Sequence, residues 1–577
     1  MLRKDKGKSI AGGEENVVEG SGPRHARSRG INASIRRDRG PGISIREGSS
    51  LPERDREVGS SGTYLDEREG SGPNPLLRTT SSVSGSGSRY DDDGPEDDDA
   101  NADADAEEQP TVVTRGPDGR FTSSRPPRSV APWLVQGPMD GGPDVGTVIP
   151  IFGAHVARYI WDGHDRRFLR CHTRASVCRL LSEWMEGFTA DTATRIRQTG
   201  LSHLPSIMHD HLNFPLISAF VERWQPDTNT FHLPFGEMTI MLHDVYHILG
   251  IRVEGDIVAE DLSSDQYRTF AAELLQLTTE ELQVKTQTAI YRNGGVHTDQ
   301  IFDRYRTVET TKEVQVIGYM WVLLGNTLFT DKSGSRTHPS FLTELCVEHN
   351  LERLTRYSWG SATLAYLYRQ LGHATRNGCD SIVGCLTLLQ SWIYEYFPCF
   401  RPHQGVLTRD VPYARAGLWD VGMARKHQQR LVSFRTRLDQ LGDHEVCWLP
   451  YGAFPALQVP RTAFTGFIRY RGIIEPYMPG RVVRQLGFIQ EVPGDMIRPD
   501  DAHRPVSVKS YRVSFSAQMT TRMWNGFVPG AAFSLLLGGY TRVPPGGHTC
   551  APDYLSWLRR VSHPIVAPNV EDDHGLP

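Results

Sequence analysis

His243, Asp244 and His247 form the sequence H-D-x-x-H, which on a helix sets two imidazoles one turn apart and imitates the metal-binding face of zinc proteases. The imitation is incomplete, since Asp is one methylene shorter than the glutamate base and no third ligand is marked nearby. Cys346 with His349, and Cys379, Cys385 and Cys399 with His403, supply soft ligands, but not at the paired C-x2-C spacing of structural zinc sites. A pyridoxal enzyme needs a lysine for its Schiff base. Beyond the N-terminal tail the chain has only Lys285, Lys312, Lys332, Lys426 and Lys509, all in polar surroundings and none before a glycine-rich phosphate cradle. Two-metal nuclease chemistry needs converging carboxylates. Asp210, Glu237 and Asp244 read more simply as caps or ion-pair members. Basic residues meet aromatics at Arg469, Tyr470 and Arg471, at Arg481 and Arg484, and at Trp557, Arg559 and Arg560. Such groups would either contact phosphates or pair internally with acids of the same chain. No G-x-S-x-G elbow, Walker loop or dinucleotide fingerprint occurs. The residues therefore predict no catalytic centre, no cofactor and no metal.

The elements that would position these groups centre on residues 231–255. Phe231, Leu233, Phe235, Met238 and Ile240 alternate as in a half-buried strand ending near Met241. Leu242, Val245, Ile248 and Leu249 then take helical spacing. Asp244 falls in the first turn, where the helix dipole favours an anion, and Gly250 is placed for a left-handed stop. On this reading His243 faces solvent. Flanking helices are predicted over Ala175–Phe188, Pro215–Trp224, Ser263–Leu275, Thr279–Ile290, Thr310–Phe329 (with Thr310 and Glu313 as a capping box), Ser361–Arg376, Ser381–Phe397, Ala424–Leu441 and Pro552–Val561. Beyond Leu441 frequent prolines predict short strands and turns, with Tyr511, Val513 and Phe515 alternating as one strand. The expected fold is mainly α: one large helical domain with minor short strands.

Composition places that domain. All 11 Trp and all 22 Phe lie at or beyond Phe121, and only Tyr64 and Tyr90 precede it, so the first fifth cannot bury a core. Residues 1–109 hold 16 Lys and Arg against 23 Asp and Glu, leaving a body of 47 against 45. A near-neutral body gives no electrostatic case for nucleic acid as its main ligand. Residues 1–135 read as a disordered tail, basic then acidic, 136–565 as the domain, and 566–577 as a short C-terminal tail. Arg24, Arg27, Arg29, Arg36, Arg37, Arg39 and Arg46 would serve nuclear import or a solvated arm, and the acidic run 91–108 a basic partner or a spacer. Eight scattered cysteines fit a reduced compartment, and no apolar run is long enough to span a bilayer.

Several ordered blocks resemble one family. LISAFVERWQPDTNTFHLPFGEMTI followed by HDVYHILGIRVEG, then FRTRLDQLGDHEVCWLPY, RVVRQLGFIQEVP and DYLSWLRRVSHP, are similar to the plant mobile domain, also called the aminotransferase-like plant mobile domain. The resemblance covers about residues 150–565. It carries over as signature positions Trp224, Phe231, His232, Leu233, Pro234, Phe235, Gly236, Glu237, Asp244, Val245, Leu249, Gly250 and Gly255, then Trp448, Pro450 and Tyr451, then Arg481, Arg484, Gln485, Gly487, Gln490 and Pro493, and finally Tyr554 and Trp557. The family usually has a capping Thr where Met241 stands. The resemblance implies a non-enzymatic nuclear interaction module. Its implied roles are meristem maintenance, cell division, genome integrity and silencing of transposable elements, with long-form protein phosphatase seven homologues as partners. It also leaves open a transposable-element-derived protein without a host role. A metal-dependent, transposase-like nuclease is the enzymatic alternative.

Overall fold

In the computed structural model, the described residues are 141–567, apart from 151, 165, 260–262, 275–295, 308–310, 333, 335, 347–350, 403–413, 423–427, 453–457, 495–516, 545–546 and 548. Before them only a small antiparallel ladder is described, β1 (Val113–Arg115) with β2 (Phe121–Ser123). The rest of the proposed tail, with its arginine and acidic runs, lies outside the described residues. So do the helix expected at Thr279–Ile290 and the strand at Tyr511–Phe515.

The body is helical with short strands. Its elements include α1 (Val156–Trp161), α2 (Ala175–Glu186), α3 (Ala190–Gln198), α4 (Phe214–Val221), β3 (Trp224–Gln225), β4 (Thr230–Leu233), β5 (Gly236–Met238), α5 (Leu242–Leu249) and α6 (Ser264–Leu274). They continue with α7 (Lys312–Thr327), α8 (Trp359–Ala374), α9 (Leu386–Tyr396), α10 (Gln428–Asp439), β6 (Gly466–Tyr470), β7 (Ile473–Tyr477), α11 (Ala517–Asn525), α12 (Pro529–Gly539) and α13 (Tyr554–Val561). All eight residues of α4 and all eleven of α9 are buried. Helices buried on every side lie inside the protein, and these two form the centre of the core. Phe220, Phe231, Trp224 and Trp392 interlock there, with ring centroids 4.8–6.3 Å apart. A smaller core joins α1 to Val561, Val566 and Ala567. The amides of Val566 and Ala567, within the stretch assigned to the C-terminal tail, donate to Asp439 at 3.0 and 2.7 Å.

Three local expectations change. The stretch Phe231–Ile240 is not one half-buried strand but a hairpin, Phe231 pairing with Met238, His232 with Glu237 and Leu233 with Gly236 around the two-residue turn Pro234–Phe235. Gly236 has φ +141, a conformation open chiefly to glycine, and this lets the chain reverse. β3 extends the hairpin to three strands, and other elements cover both faces, so the alternation marks no solvent side. The cap of α7 is Thr311, whose hydroxyl accepts from Val314 N, rather than Thr310. Ser381 and Ile382 pair in parallel with Arg170 and Cys171, and helix begins only at Leu386, past Gly384 at φ +101.

Candidate functional site

The signature residues assemble from four distant stretches. The hairpin turn lies over a 3-10 segment at Pro479–Leu486. Arg481 donates through Nε to Glu237 Oε2 at 2.7 Å and through its second arm to Oε1. Both side chains are almost fully buried. A desolvated pair of this kind holds only if the remaining polar positions are filled. Here Thr230 Oγ1 donates to the carboxylate at 3.3 Å, while the Tyr554 hydroxyl accepts from Glu237 N at 3.0 Å. Burial pushes the Glu237 carboxyl up, but Arg481, His232 and Thr230 together hold it below its ordinary value. His232, 3.8 Å from that carboxylate, is lowered to about 4 by burial, against the pull of Glu237.

Arg484, three residues on, is held differently. No carboxylate lies within ion-pair distance of it among the described residues. Its Nη2 donates to Phe235 O at 2.7 Å, and the guanidinium sits over Trp448 at 4.3 Å, Tyr554 at 5.5 Å and Phe235 at 5.9 Å. Three aromatic faces replace a counter-ion. A Cβ on Gly236 would fall on this guanidinium, so Gly236 serves both the turn and the cage. Gln485 closes a two-way bond with Thr239, accepting from its N at 2.9 Å and donating to its O at 2.8 Å. Gln490 accepts from Val483 N at 2.9 Å and donates to Glu491 O at 2.9 Å, folding the segment back after Gly487, at φ +87. Trp557 lies 5.9 Å from the Arg481 guanidinium.

On the other side of the hairpin, Asp244 Oδ2 accepts from Met241 N at 2.6 Å, so half of a capping box survives although Met241 contributes no side-chain bond. Tyr396 donates to Asp244 Oδ1 at 2.9 Å. Burial raises the Asp244 carboxyl to about 7, opposed by the Met241 and Tyr396 bonds. His243 is not solvent-facing as expected: it is fully buried, its Nε2 3.3 Å from the Tyr396 hydroxyl. α5 is short and covered by α9 and by the stretch around Tyr451, which leaves Tyr246, 38% exposed, and half-buried His247 at its outer side. Gly250 takes φ +65, as the spacing predicts, and Gly255 takes φ +114 where a Cβ would meet Arg356 O. Val245 and Leu249 are core residues. Pro234 and Pro450 are half-buried, as is Pro493, which borders a surface groove.

The groups weighed for chemistry do not converge. Lys312 is exposed and pairs with Asp191, and Lys332 is exposed. Lys285, Lys426, Lys509, His349, His403 and the Cys346 side chain lie outside the described residues. Cys385 is buried, Cys379 half-buried and Cys399 exposed. Among the described residues no group of three His, Cys, Asp or Glu side chains is placed to hold a metal. Arg471 pairs with buried Glu344, so it too turns inward, whereas Arg559 and Arg560 are exposed. Sequence reading missed a buried imidazole stack. His155 and His563 lie 4.8 Å apart and His563 and His232 6.0 Å apart; His155 Nε2 bonds Trp224 O at 2.8 Å and His232 Nδ1 bonds Ser562 Oγ at 2.6 Å. The partners are up to 408 residues apart, from His155 to His563, and no local spacing betrays them.

A plant mobile domain model matches residues 200–531. The chain is 28% identical to the protein MAIN-LIKE 1 of Arabidopsis thaliana, over 74% of this chain and 80% of that one. It is 31% identical to the Arabidopsis protein MAINTENANCE OF MERISTEMS, over 59% of this chain and 70% of that one. A serine/threonine-protein phosphatase 7 long form homolog from the same plant is 26% identical over 77% of this chain, which spans only 33% of that relative. No solved structure matches.

Proposed function

Because the chain belongs to the plant mobile domain family, we propose that its helical body is a non-enzymatic interaction module that works in the nucleus. The observation that carries this reading is the use of the signature's charges. Under the hairpin Glu237 and Arg481 neutralise each other and aromatic rings cage Arg484, and Asp244 caps a helix. Acids and bases committed in this way hold the fold and do not meet substrate. The name of one relative supports a role in meristem maintenance, and a partner of the long-form phosphatase 7 type is proposed with it from the family resemblance. Cell division, genome integrity and silencing of transposable elements are the cellular processes proposed with it. The arginines of 24–46 support nuclear entry.

Affinity purification of the tagged chain from plant nuclei, read by mass spectrometry, should recover a long-form phosphatase homologue. The purified chain should turn over no phosphomonoester and should carry neither pyridoxal absorbance nor stoichiometric zinc. A turnover that co-purifies with the chain and vanishes in Glu237→Gln, while the protein remains folded, would overturn the reading.

A further inference from the structure

A groove of about 1110 Å³ opens beside Pro479 and Gly480, at the start of the 3-10 segment that carries Arg481 and Arg484. Its apolar lining includes buried Phe464 before β6 and the half-buried Met523 of α11 and Phe527 between α11 and α12. Among the described residues, the large apolar side chains more than a third exposed are Tyr246, Val432, Val492 and Val528, and the last two border this groove. Val528 is 61% exposed. One wall is made by α12, PGAAFSLLLGG, which has no ionisable residue and leaves Ala531, Ser534 and Gly538 in solvent. A helix without charge on any side ordinarily lies under other protein, and exposed apolar groups gathered in one place mark a contact surface.

The lining contains one acid and one base. Glu491 comes from the extended stretch after the 3-10 segment and Arg522 from α11; both are exposed. We infer that this groove and α12 form a self-complementary surface on which a second copy of the chain docks about a two-fold axis. In such an isologous contact the site and its ligand are the same patch, so α12 of each copy lies against the groove of the other. Arg522 of one copy then faces Glu491 of its mate, twice per dimer, and one acid with one base is the charge pattern this symmetry balances. Apart from Pro493 at its border, the surface is distinct from the buried signature. The inference also goes beyond the proposed partner, since it requires no phosphatase relative.

Sedimentation of the purified full-length chain over a range of concentrations is the test. The expected result is a reversible monomer–dimer equilibrium about a 64.7 kDa monomer. Ala531→Arg, at an exposed position, should abolish the dimer while the melting temperature stays unchanged. Arg522→Glu should weaken dimerisation roughly tenfold through two like-charge contacts. Adding Glu491→Arg to the same chain should restore it, a rescue that a merely destabilised fold would not show. A monomer at every concentration, a dimer untouched by Ala531→Arg, or a double variant no better than the single would overturn the inference. Nuclear purification of the phosphatase relative can succeed or fail independently, so the two proposals separate.

Discussion

Arg481 and Arg522 carry the same guanidinium and are used in opposite ways. Arg481 lies under the hairpin with both arms on Glu237 and almost no exposure, whereas Arg522 stands in solvent at the side of an apolar groove. Around Arg481 the polar groups are inside and satisfied; around Arg522 the apolar groups are outside. The difference separates two tasks that a motif alone confuses. A signature dense in charge looks like a binding site in sequence, yet here it is the part of the molecule least available to a partner. The plain stretch PGAAFSLLLGG, with nothing a motif search would notice, puts Ala531, Ser534 and Gly538 in solvent.

The comparison can be broken first by acid. His155 is lowered to about 3 and His209 and His232 to about 4, each chiefly by burial. A base with a depressed folded pKa contributes stability that is present above its unfolded value of about 6.5 and lost as pH falls toward the folded value. Among the described residues, eight histidines shift in this direction. Asp244, Glu395 and Asp439 shift up and oppose them, Asp244 costing stability as pH rises from its ordinary value to about 7. The histidines prevail: stability should fall between about pH 6.5 and 4, each fully buried imidazole contributing about 1.4 kcal/mol per pH unit. Denaturant midpoints across that range give the slope, and a flat profile would contradict the buried stack.

Glu237→Ala should come next, at about 3–5 kcal/mol, because it leaves Arg481 charged and unpaired in the core. Replacing both partners by apolar residues should recover much of the loss, which calorimetry of the single and double variants would show. His243→Ala should cost less, about 1–3 kcal/mol, since it removes a buried ring whose Nε2 faces Tyr396. An unchanged melting temperature would return His243 to the surface, where its sequence neighbours suggest it belongs.

That last residue shows how far the sequence could be read. Helical spacing, the Asp244 cap and the Gly250 stop are local properties, and local patterns found them. The face of α5 that meets solvent is set by α9, some 150 residues later, so His243 was misassigned. The hairpin was hidden for a related reason: with both faces covered, alternation carries no information, and only Pro234 beside Gly236 signalled the turn. The family blocks name Glu237, Arg481, Gly236 and Arg484 singly. They did not say that Arg481 would meet Glu237 or that Gly236 would make room for Arg484, because those partners are over 240 residues apart.

Hydrogen exchange at the hairpin tests the central claim, that the signature is a folding core and not a contact surface. The amides of His232 and Met238, of Val245 in α5 and of Gly250 at its C-cap should exchange only through global unfolding, with the same free energy as denaturant melting. Phe235→Ala should lower all of them together by about 3–5 kcal/mol, and a bound partner should protect them only as far as it stabilises the whole domain. Fast local exchange at these amides in the free protein, slowed selectively by the partner, would contradict the account and make the signature a contact surface.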